Sequence, residues 1–277
     1  EISQQLSCGY TLDDHQEEAL ETERFVTSEE VAFRSTTGGA PAVIREYHLA
    51  LTCTGEYAQN KGGTLESVLA SFVSAANIVN TTFEREVGIR VVLINEVEEL
   101  IFLYPSSDPF INADEGGALL GQVRDAIVNT AGISPASYDM GHVFTASCTD
   151  VGGVVAGNSR VCTANKEAAV TCHYSSNLTT IVRRVMTHEV AHHFSVGHTF
   201  HYCPGSEGQT AAQTAFEPGS GSTIMSYAGS CGNQNIQGDS DDYYHGGSLE
   251  EFIQYTRQGS GSACPTLVET GSSQPEV

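Results

Sequence analysis

The residues best suited to chemistry lie in one short stretch, residues 186–198 (MTHEVAHHFSVGH). It contains H-E-x-x-H, in which His188 and His192 are four residues apart. On a helix such residues share a face, so both imidazoles can bind one metal ion, and Glu189 lies beside that ion without ligating it. A tetrahedral catalytic zinc site needs three protein ligands and an open position for water. His198 supplies the third ligand if the chain turns sharply after the helix.

Other histidines near this stretch have simpler interpretations. His193 lies on a different face of the helix from His188 and His192, so we expect it to be packed or solvated rather than metal-bound. His201, just past the stretch, is interpreted in the same way. H-E-x-x-H alone can also arise by chance in a helix with surface histidines, but a third histidine at this spacing argues against chance.

A second motif, residues 222–227 (STIMSY), lies downstream. With it the chain resembles the metzincins, zinc peptidases whose signature is H-E-x-x-H-x-x-G-x-x-H followed by a methionine-containing turn. The resemblance implies that Met225 forms an apolar floor beneath the histidines. It also places Tyr227 where some metzincins carry a tyrosine near the zinc that assists the transition state, with a packed tyrosine as the alternative. Similarity to bacterial reprolysin-like (adamalysin-related) peptidases covers roughly residues 43–264, and is carried by residues 50–57 (ALTCTGEY), 138–144 (YDMGHVF), 217–225 (EPGSGSTIM) and 240–245 (SDDYYH).

One position departs from the metzincin signature. The glycine expected after the second histidine is Ser195 here. The left-handed turn expected at this point costs a non-glycine residue about 1 kcal/mol or more. The neighbouring Gly197 can share the bend. The departure therefore concerns the turn that carries His198 to the metal more than the set of ligands.

These residues predict a zinc-dependent endopeptidase that acts on protein or peptide substrates. One zinc ion held by neutral imidazoles keeps its full charge and lowers the pKa of bound water towards about 7. Glu189 is then the general base, which accepts the proton of the water and passes it to the leaving amine. One alternative is a non-catalytic extracellular binding or adhesion module with a structural zinc site, and the intact Glu189 argues against it. Another is a gluzincin-like enzyme with a downstream glutamate ligand, against which His198 and Met225 argue.

The elements that position this site are predicted from the sequence, in which strands and helices alternate through the first half of the chain. The resemblance implies an α/β (α+β) metzincin-like fold. In it, a twisted, mostly parallel sheet with packed helices forms the N-terminal subdomain, and the zinc helix lines the cleft. A loop-rich C-terminal subdomain then carries the Met-turn and a final helix. Hydrophobic periodicity and capping residues predict strands at 44–53, 89–97 and 141–146, helices after Thr64, at 118–131 and at 178–185, and a last helix opened by the capping box 248–251 (SLEE).

Composition divides the chain into three parts. Residues 1–42, rich in Glu, Ser and Thr, are predicted to be a leader or propeptide-like extension. Residues 43–264 form the catalytic domain, with its cleft after about residue 198. Residues 265–277 have the composition of a linker-like tail.

Peptides commonly bind such enzymes as an added strand along a sheet edge. Residues 142–146 and 151–157 are the candidates for that edge. By resemblance the edge strand forms the upper rim of the cleft, where Gly152, Gly153 and Val154 would lie. The two glycines would allow close backbone approach, and an ordinary flexible turn is the alternative.

The eight cysteines form no C-x-x-C pair, and an even, scattered set indicates disulfides and hence secretion. Cys203 with Cys231 is the favoured bridge. Cys8 resembles the cysteine switch of related proenzymes, in which a propeptide thiolate occupies the open zinc position, and a thiolate is a good zinc ligand. A disulfide at Cys8, which makes the cysteine count even, is the interpretation we favour.

The charge balance limits the partners. Twelve Lys and Arg against thirty-four Asp and Glu give a net charge of −22, which disfavours nucleic acid. No apolar run approaches the roughly 18 residues of a membrane span, so we expect a secreted monomer without one. Asp239, Asp241 and Asp242 can bind calcium, but no EF-hand pattern is present and a solvated acidic loop is the alternative.

Overall fold

The computed structural model describes residues 8–10, 41–173 and 177–273. The strands are β1 (Cys8–Tyr10), β2 (Pro41–Cys53), β3 (Ile89–Leu93), β4 (Met140–Thr145), β5 (Gly153–Val155), β6 (Glu167–Cys172) and β7 (Thr266–Ser273). They form a seven-stranded sheet with the order β1-β5-β6-β4-β2-β3, and β7 pairs with β2 beside this path. Most neighbouring strands are parallel, whereas β5 is antiparallel to β6 and β7 is antiparallel to β2.

Helices pack beside this sheet and give a mixed α/β architecture, as expected from the alternating pattern. The α-helices are α1 (Gly55–Asn60), α2 (Leu65–Val87), α3 (Gly116–Leu120), α4 (Leu178–Ile181), α5 (Thr187–His193) and α6 (Gly246–Arg257). Two segments are π-helical, Asp125–Thr130 and Val182–Met186. Short 3₁₀ turns lie at Val97–Leu100, Pro135–Ser137, Glu207–Gln209, Gly232–Gln234 and Ser260–Ser262.

The long helix α2 follows directly from its sequence. Thr64 is the N-cap, and its side chain accepts a hydrogen bond from the Ser67 N–H, as the sequence predicted. Gly88 ends the helix in the left-handed conformation, at φ 65°. Between these ends Phe72 and Phe83 are fully buried, and burying a large apolar side chain contributes about 1.5–3 kcal/mol. Helix α2 thereby covers the sheet next to β3.

Several predicted bounds differ from those observed. The helix predicted at 118–131 is two pieces, α3 and a π-helical segment, with a break after Gly121. The last helix begins at Gly246 with His245 as N-cap, so the capping box predicted at 248–251 was wrong. Residues 266–273, predicted to be linker-like, form β7 against the first half of β2, where backbone pairing compensates for weak hydrophobic patterning.

Three disulfides connect the second half of the chain among the described residues. The predicted bridge Cys203–Cys231 is confirmed. Cys148–Cys172 joins the loop before β5 to the end of β6, and Cys162–Cys264 closes a separation of 102 residues. By chain entropy alone, loops of these lengths stabilise the fold by about 3–5 kcal/mol each. No helix in the described part of the chain is long and apolar enough to cross a membrane.

Candidate metal centre and active site

The histidine stretch lies on a continuous helical run from α4 to α5. Asn177 caps the start, accepting a hydrogen bond from the Thr180 N–H. The middle, Val182–Met186, is π-helical, and the Thr187 hydroxyl donates to the Val182 carbonyl at 2.8 Å. Such local widening of a helix is frequent at functional sites. Every residue of α5 is buried, so its side chains have fixed surroundings.

The three predicted ligands converge. The Nε2 atoms of His188, His192 and His198 lie 3.0–3.1 Å from one another. Each Nδ1 lies 2.7–2.8 Å from a backbone carbonyl. A carbonyl only accepts, so each Nδ1 carries the proton and each Nε2 presents a lone pair. The carbonyls belong to Ile224, Val196 and Gln209.

Three lone pairs facing one point cannot hydrogen-bond to each other, but they suit a cation. Tetrahedral zinc with bonds of about 2.05 Å would separate its nitrogens by about 3.4 Å. The observed spacing of 3.0–3.1 Å is close to that value. Burial lowers the pKa of His188 to about 4 and that of His198 to about 3, so both rings are neutral at pH 7. The residues present therefore fit a zinc ion.

The turn after α5 forms at Ser195, which has φ 70°. Gly197 is not among the residues with positive φ, so the bend lies at the serine alone. Ser159, itself at φ 65°, donates its hydroxyl to the Ser195 hydroxyl at 2.7 Å. The Ser195 N–H also donates to the His192 carbonyl at 3.0 Å. The left-handed conformation expected from the missing glycine is thus confirmed, and a second serine supports it.

Glu217, which sequence reasoning missed, joins the His198 segment to the segment before Met225. Its buried carboxylate accepts hydrogen bonds from the hydroxyls of Thr199 and Thr223 and from the N–H groups of Ser222 and Thr223. Burial raises the pKa of Glu217, but these donors outweigh it and leave the pKa below its usual value. In the sequence, this role is indicated only by an acidic residue that precedes a run of glycines, serines and threonine, residues 219–223.

Met225 and Tyr227 lie close to the histidines. Met225 is fully buried in the main apolar core, and its carbonyl accepts from the Thr199 N–H at 3.0 Å. The Tyr227 ring stacks on Phe200 with centroids 4.2 Å apart and meets the His198 ring edge-on at 4.8 Å. Tyr227 is therefore packed, with 5% of its surface exposed, and it also lines the cavity beside Glu189.

Glu189 lies against strand β5. A Cβ atom on Gly153 would stand 2.5 Å from Glu189 Oε1 and 2.6 Å from Val185 Cγ1. Gly153 is therefore required for close approach of the strand to the helix, rather than for a flexible turn. Gly152 lines the same cavity as Glu189, and Val154 is buried. The other predicted edge, residues 142–146, was wrong because β4 lies inside the sheet between β2 and β6.

A segment from the start of the chain pairs with β5. Strand β1 runs parallel to β5, with Cys8 opposite Gly153 and Tyr10 opposite Val155. It also lies beside Glu207–Gln209, which holds the carbonyl bound to His198 Nδ1. Strand β1 therefore contacts both β5, which lies against Glu189, and the Glu207–Gln209 turn, which lies against His198.

The sheet order bears on the pairing of Cys8. Cys53 is a free, fully buried cysteine of β2, and burial raises the pKa of its thiol to about 12. Three strands separate β1 from β2, which corresponds to roughly 19 Å at about 4.8 Å per strand spacing. A disulfide needs Cα atoms within about 7 Å. Cys53 therefore lies too far from β1 to pair with Cys8, and the six cysteines in the described disulfides are bonded to one another.

The remaining candidates have other partners. Asp239 and Asp242 form ion pairs with Arg184 and Arg183, at 2.7 Å and 2.5 Å. Asp241 accepts a hydrogen bond from a tyrosine hydroxyl at 3.2 Å. These contacts do not support calcium binding there. His193 is fully buried and outside the histidine cluster, as expected, and His201 is exposed.

The three-histidine cluster on a mixed α/β fold suits a zinc metallopeptidase. The model of metallopeptidase family M12B, reprolysin-like, matches residues 43–254, and the chain belongs to that family. No curated protein matches it. Among solved structures it is similar to a chain described as "Structure of a chaperone-substrate complex", with 12% identity and a TM-score of 0.46, over 77% of this chain and 35% of that chain. A likeness this distant carries no argument about function.

Proposed function

We propose that this chain is a secreted zinc endopeptidase in which Glu189 is the general base. The observation that carries the proposal is the convergence of three Nε2 lone pairs beside a cavity lined by Glu189. When bound by His188, His192 and His198, zinc supplies Lewis acidity that acidifies a water and polarises the scissile carbonyl. Glu189 takes the proton of the attacking water and delivers it to the leaving amine.

Strand β5 is the proposed binding edge for the substrate. A peptide pairing with Gly152, Gly153 and Val154 would lie next to Glu189, because Gly153 brings this backbone against the carboxylate. Tyr227 lines the cavity and would assist the transition state through its hydroxyl. Met225 would form the floor of the histidine site, which its complete burial supports.

The N-terminal segment would make the enzyme latent. Strand β1 pairs with the backbone that a substrate would need, so substrate and β1 compete for β5. The backbone register that sets Cys8 opposite Gly153, beside Glu189, supports Cys8 as a ligand of the open zinc position. Residues 1–42 would then act as a propeptide, which revises the disulfide favoured from the cysteine count.

The disulfides support secretion. Cys148–Cys172, Cys162–Cys264 and Cys203–Cys231 are of the kind that forms and persists in an oxidising compartment. The net charge of −22 favours solubility outside the cell. The alternative, a non-catalytic module with structural zinc, has no comparable support, since a structural site needs no buried carboxylate beside its cavity.

The test compares hydrolysis of casein by the full chain and by Cys8→Ala, each with and without a zinc chelator. We expect about one zinc per chain, cleavage that stops with chelation and returns with zinc, and several-fold higher activity in Cys8→Ala. Cys53→Ala is the matched control, because it removes a thiol far from β5 and should not raise activity. Absence of zinc-dependent cleavage in all forms would refute the peptidase proposal, whereas equal activity of Cys8→Ala and the parent would refute only Cys8 as an inhibitory zinc ligand.

A further inference from the structure

A polar cavity adjoins the candidate active site. It has a volume of about 60 Å³ and is lined by Glu189 and Gly153 on the side of the reacting groups. The rest of the lining includes Arg184 and the serines Ser226, Ser230 and Ser240. This volume exceeds the roughly 10–15 Å³ that a cavity needs to hold one water molecule. That is room for a short side chain of a bound peptide next to the scissile bond.

Arg184 gives this cavity a cationic wall. The side chain comes from the π-helical turn before His188, and its Nε lies 2.7 Å from the Asp239 carboxylate. Its Nη2 donates to the Ala228 carbonyl at 3.4 Å. Among the described residues these contacts use two of the five N–H groups of the guanidinium. Asp239 is 54% exposed, and an ion pair that open to water is weak and exchangeable.

We propose that Arg184 makes the enzyme select substrates with an acidic side chain, Asp or Glu, next to the scissile bond. The inference rests on the proposed peptidase function. A carboxylate entering the cavity would accept charge-assisted hydrogen bonds from the guanidinium and further bonds from the serine hydroxyls. An aliphatic side chain there would give the Arg184 guanidinium no such acceptor in a site closed by substrate.

The test measures kcat/KM of the full chain on matched peptides that differ only in Glu, Gln or Leu at the positions flanking one bond. The ratio between peptides does not depend on how much of the enzyme is latent. We expect Glu to exceed Leu by roughly 10- to 100-fold at one flanking position, the range of one charge-assisted hydrogen bond. Arg184→Leu should remove or reverse this ratio, and Arg184→Lys should retain part of it.

Arg183→Leu is the matched control, because Arg183 lies on the same turn, pairs with Asp242 and does not line the cavity. It should leave the Glu-to-Leu ratio unchanged. Cleavage with no acidic preference, or a preference that survives Arg184→Leu, would overturn this inference while leaving the peptidase function intact. Absence of cleavage of every peptide, with zinc bound, would instead overturn the proposed function.

Discussion

Replacing Ser195 tests how the chain reaches its third metal ligand without the glycine of the metzincin signature. The residue is left-handed at φ 70°, and its hydroxyl accepts from Ser159 at 2.7 Å. Left-handed backbone costs a non-glycine residue about 1–2 kcal/mol. The hydroxyl bond contributes about 0.5–1.5 kcal/mol in return. The two effects are of similar size, so the serine pair can take the place of glycine.

These magnitudes predict different results for two substitutions. Ser195→Ala keeps the strain and loses the hydroxyl bond, so the free energy of unfolding should fall by about 1 kcal/mol. Ser195→Gly loses the bond but relieves the strain, and its greater freedom in the unfolded chain costs about 0.5–1 kcal/mol. The net change for Ser195→Gly should therefore lie within about 1 kcal/mol of zero. Ser159→Ala should cost about 1 kcal/mol in the parent and almost nothing in Ser195→Gly.

The assay is a double-mutant cycle on Ser159 and Ser195, by urea unfolding at fixed free zinc, together with zinc affinity by chelator competition. The cycle should give a coupling of about 1 kcal/mol, and the loss should appear as weaker zinc binding, because this turn leads to His198. If Ser159→Ala costs the same with serine or glycine at position 195, the hydroxyl bond does not support the turn and the reasoning is refuted.

Two further predictions concern the frame of the site. Glu217→Gln should lower the free energy of unfolding by about 2–3 kcal/mol at pH 7, because an amide cannot accept from every donor around the carboxylate. The pKa of Glu217 is lower in the folded protein than in the unfolded chain. Its carboxylate therefore stabilises the fold above the unfolded pKa of about 4.3, and this stabilisation is lost as the pH falls through the folded pKa. In urea unfolding, the free energy of unfolding of Glu217→Gln should fall less steeply with acid than that of the parent. Gly153→Ala should abolish peptide cleavage while zinc stays bound, because the new methyl group would clash with Glu189 and Val185. Full activity of this variant would show that β5 can move away from the helix. Gly208→Ala, where a Cβ has no neighbour within 4 Å, is the matched control.

Short-range patterns in the sequence predicted which histidines come together. The i, i+4 spacing of His188 and His192 determines their shared face, and both rings meet His198 as expected. The cap at Thr64 was likewise readable, because it depends on residue type and local spacing. Cys203–Cys231 was predicted from the way the two cysteines bracket the segment before Met225. Ser195 was identified as the point of strain and is left-handed.

Long-range pairing was not readable from local patterns. Strand β7 has little hydrophobic alternation and exists through its ladder with Pro41–Glu46, which no local pattern shows. The same holds for β1, whose parallel register against Gly153 joins residues far apart in the chain. The role of Glu217 depends on donors from two separate loops. The acidic residues between 239 and 242 were considered for calcium because local sequence does not show their arginine partners. Those arginines lie some 55 residues earlier in the chain, on the helical run that carries His188.

The most direct test of the central claim is a paired measurement on Glu189→Gln in the full chain. Zinc content and the rate of casein hydrolysis are measured for the parent and the variant under the same conditions. We expect about one zinc per chain in both proteins. The variant should lose at least about 100-fold in rate, since a positioned general base contributes a factor of about 10²–10⁴. A variant that binds zinc and cleaves at the parent rate would contradict the central claim.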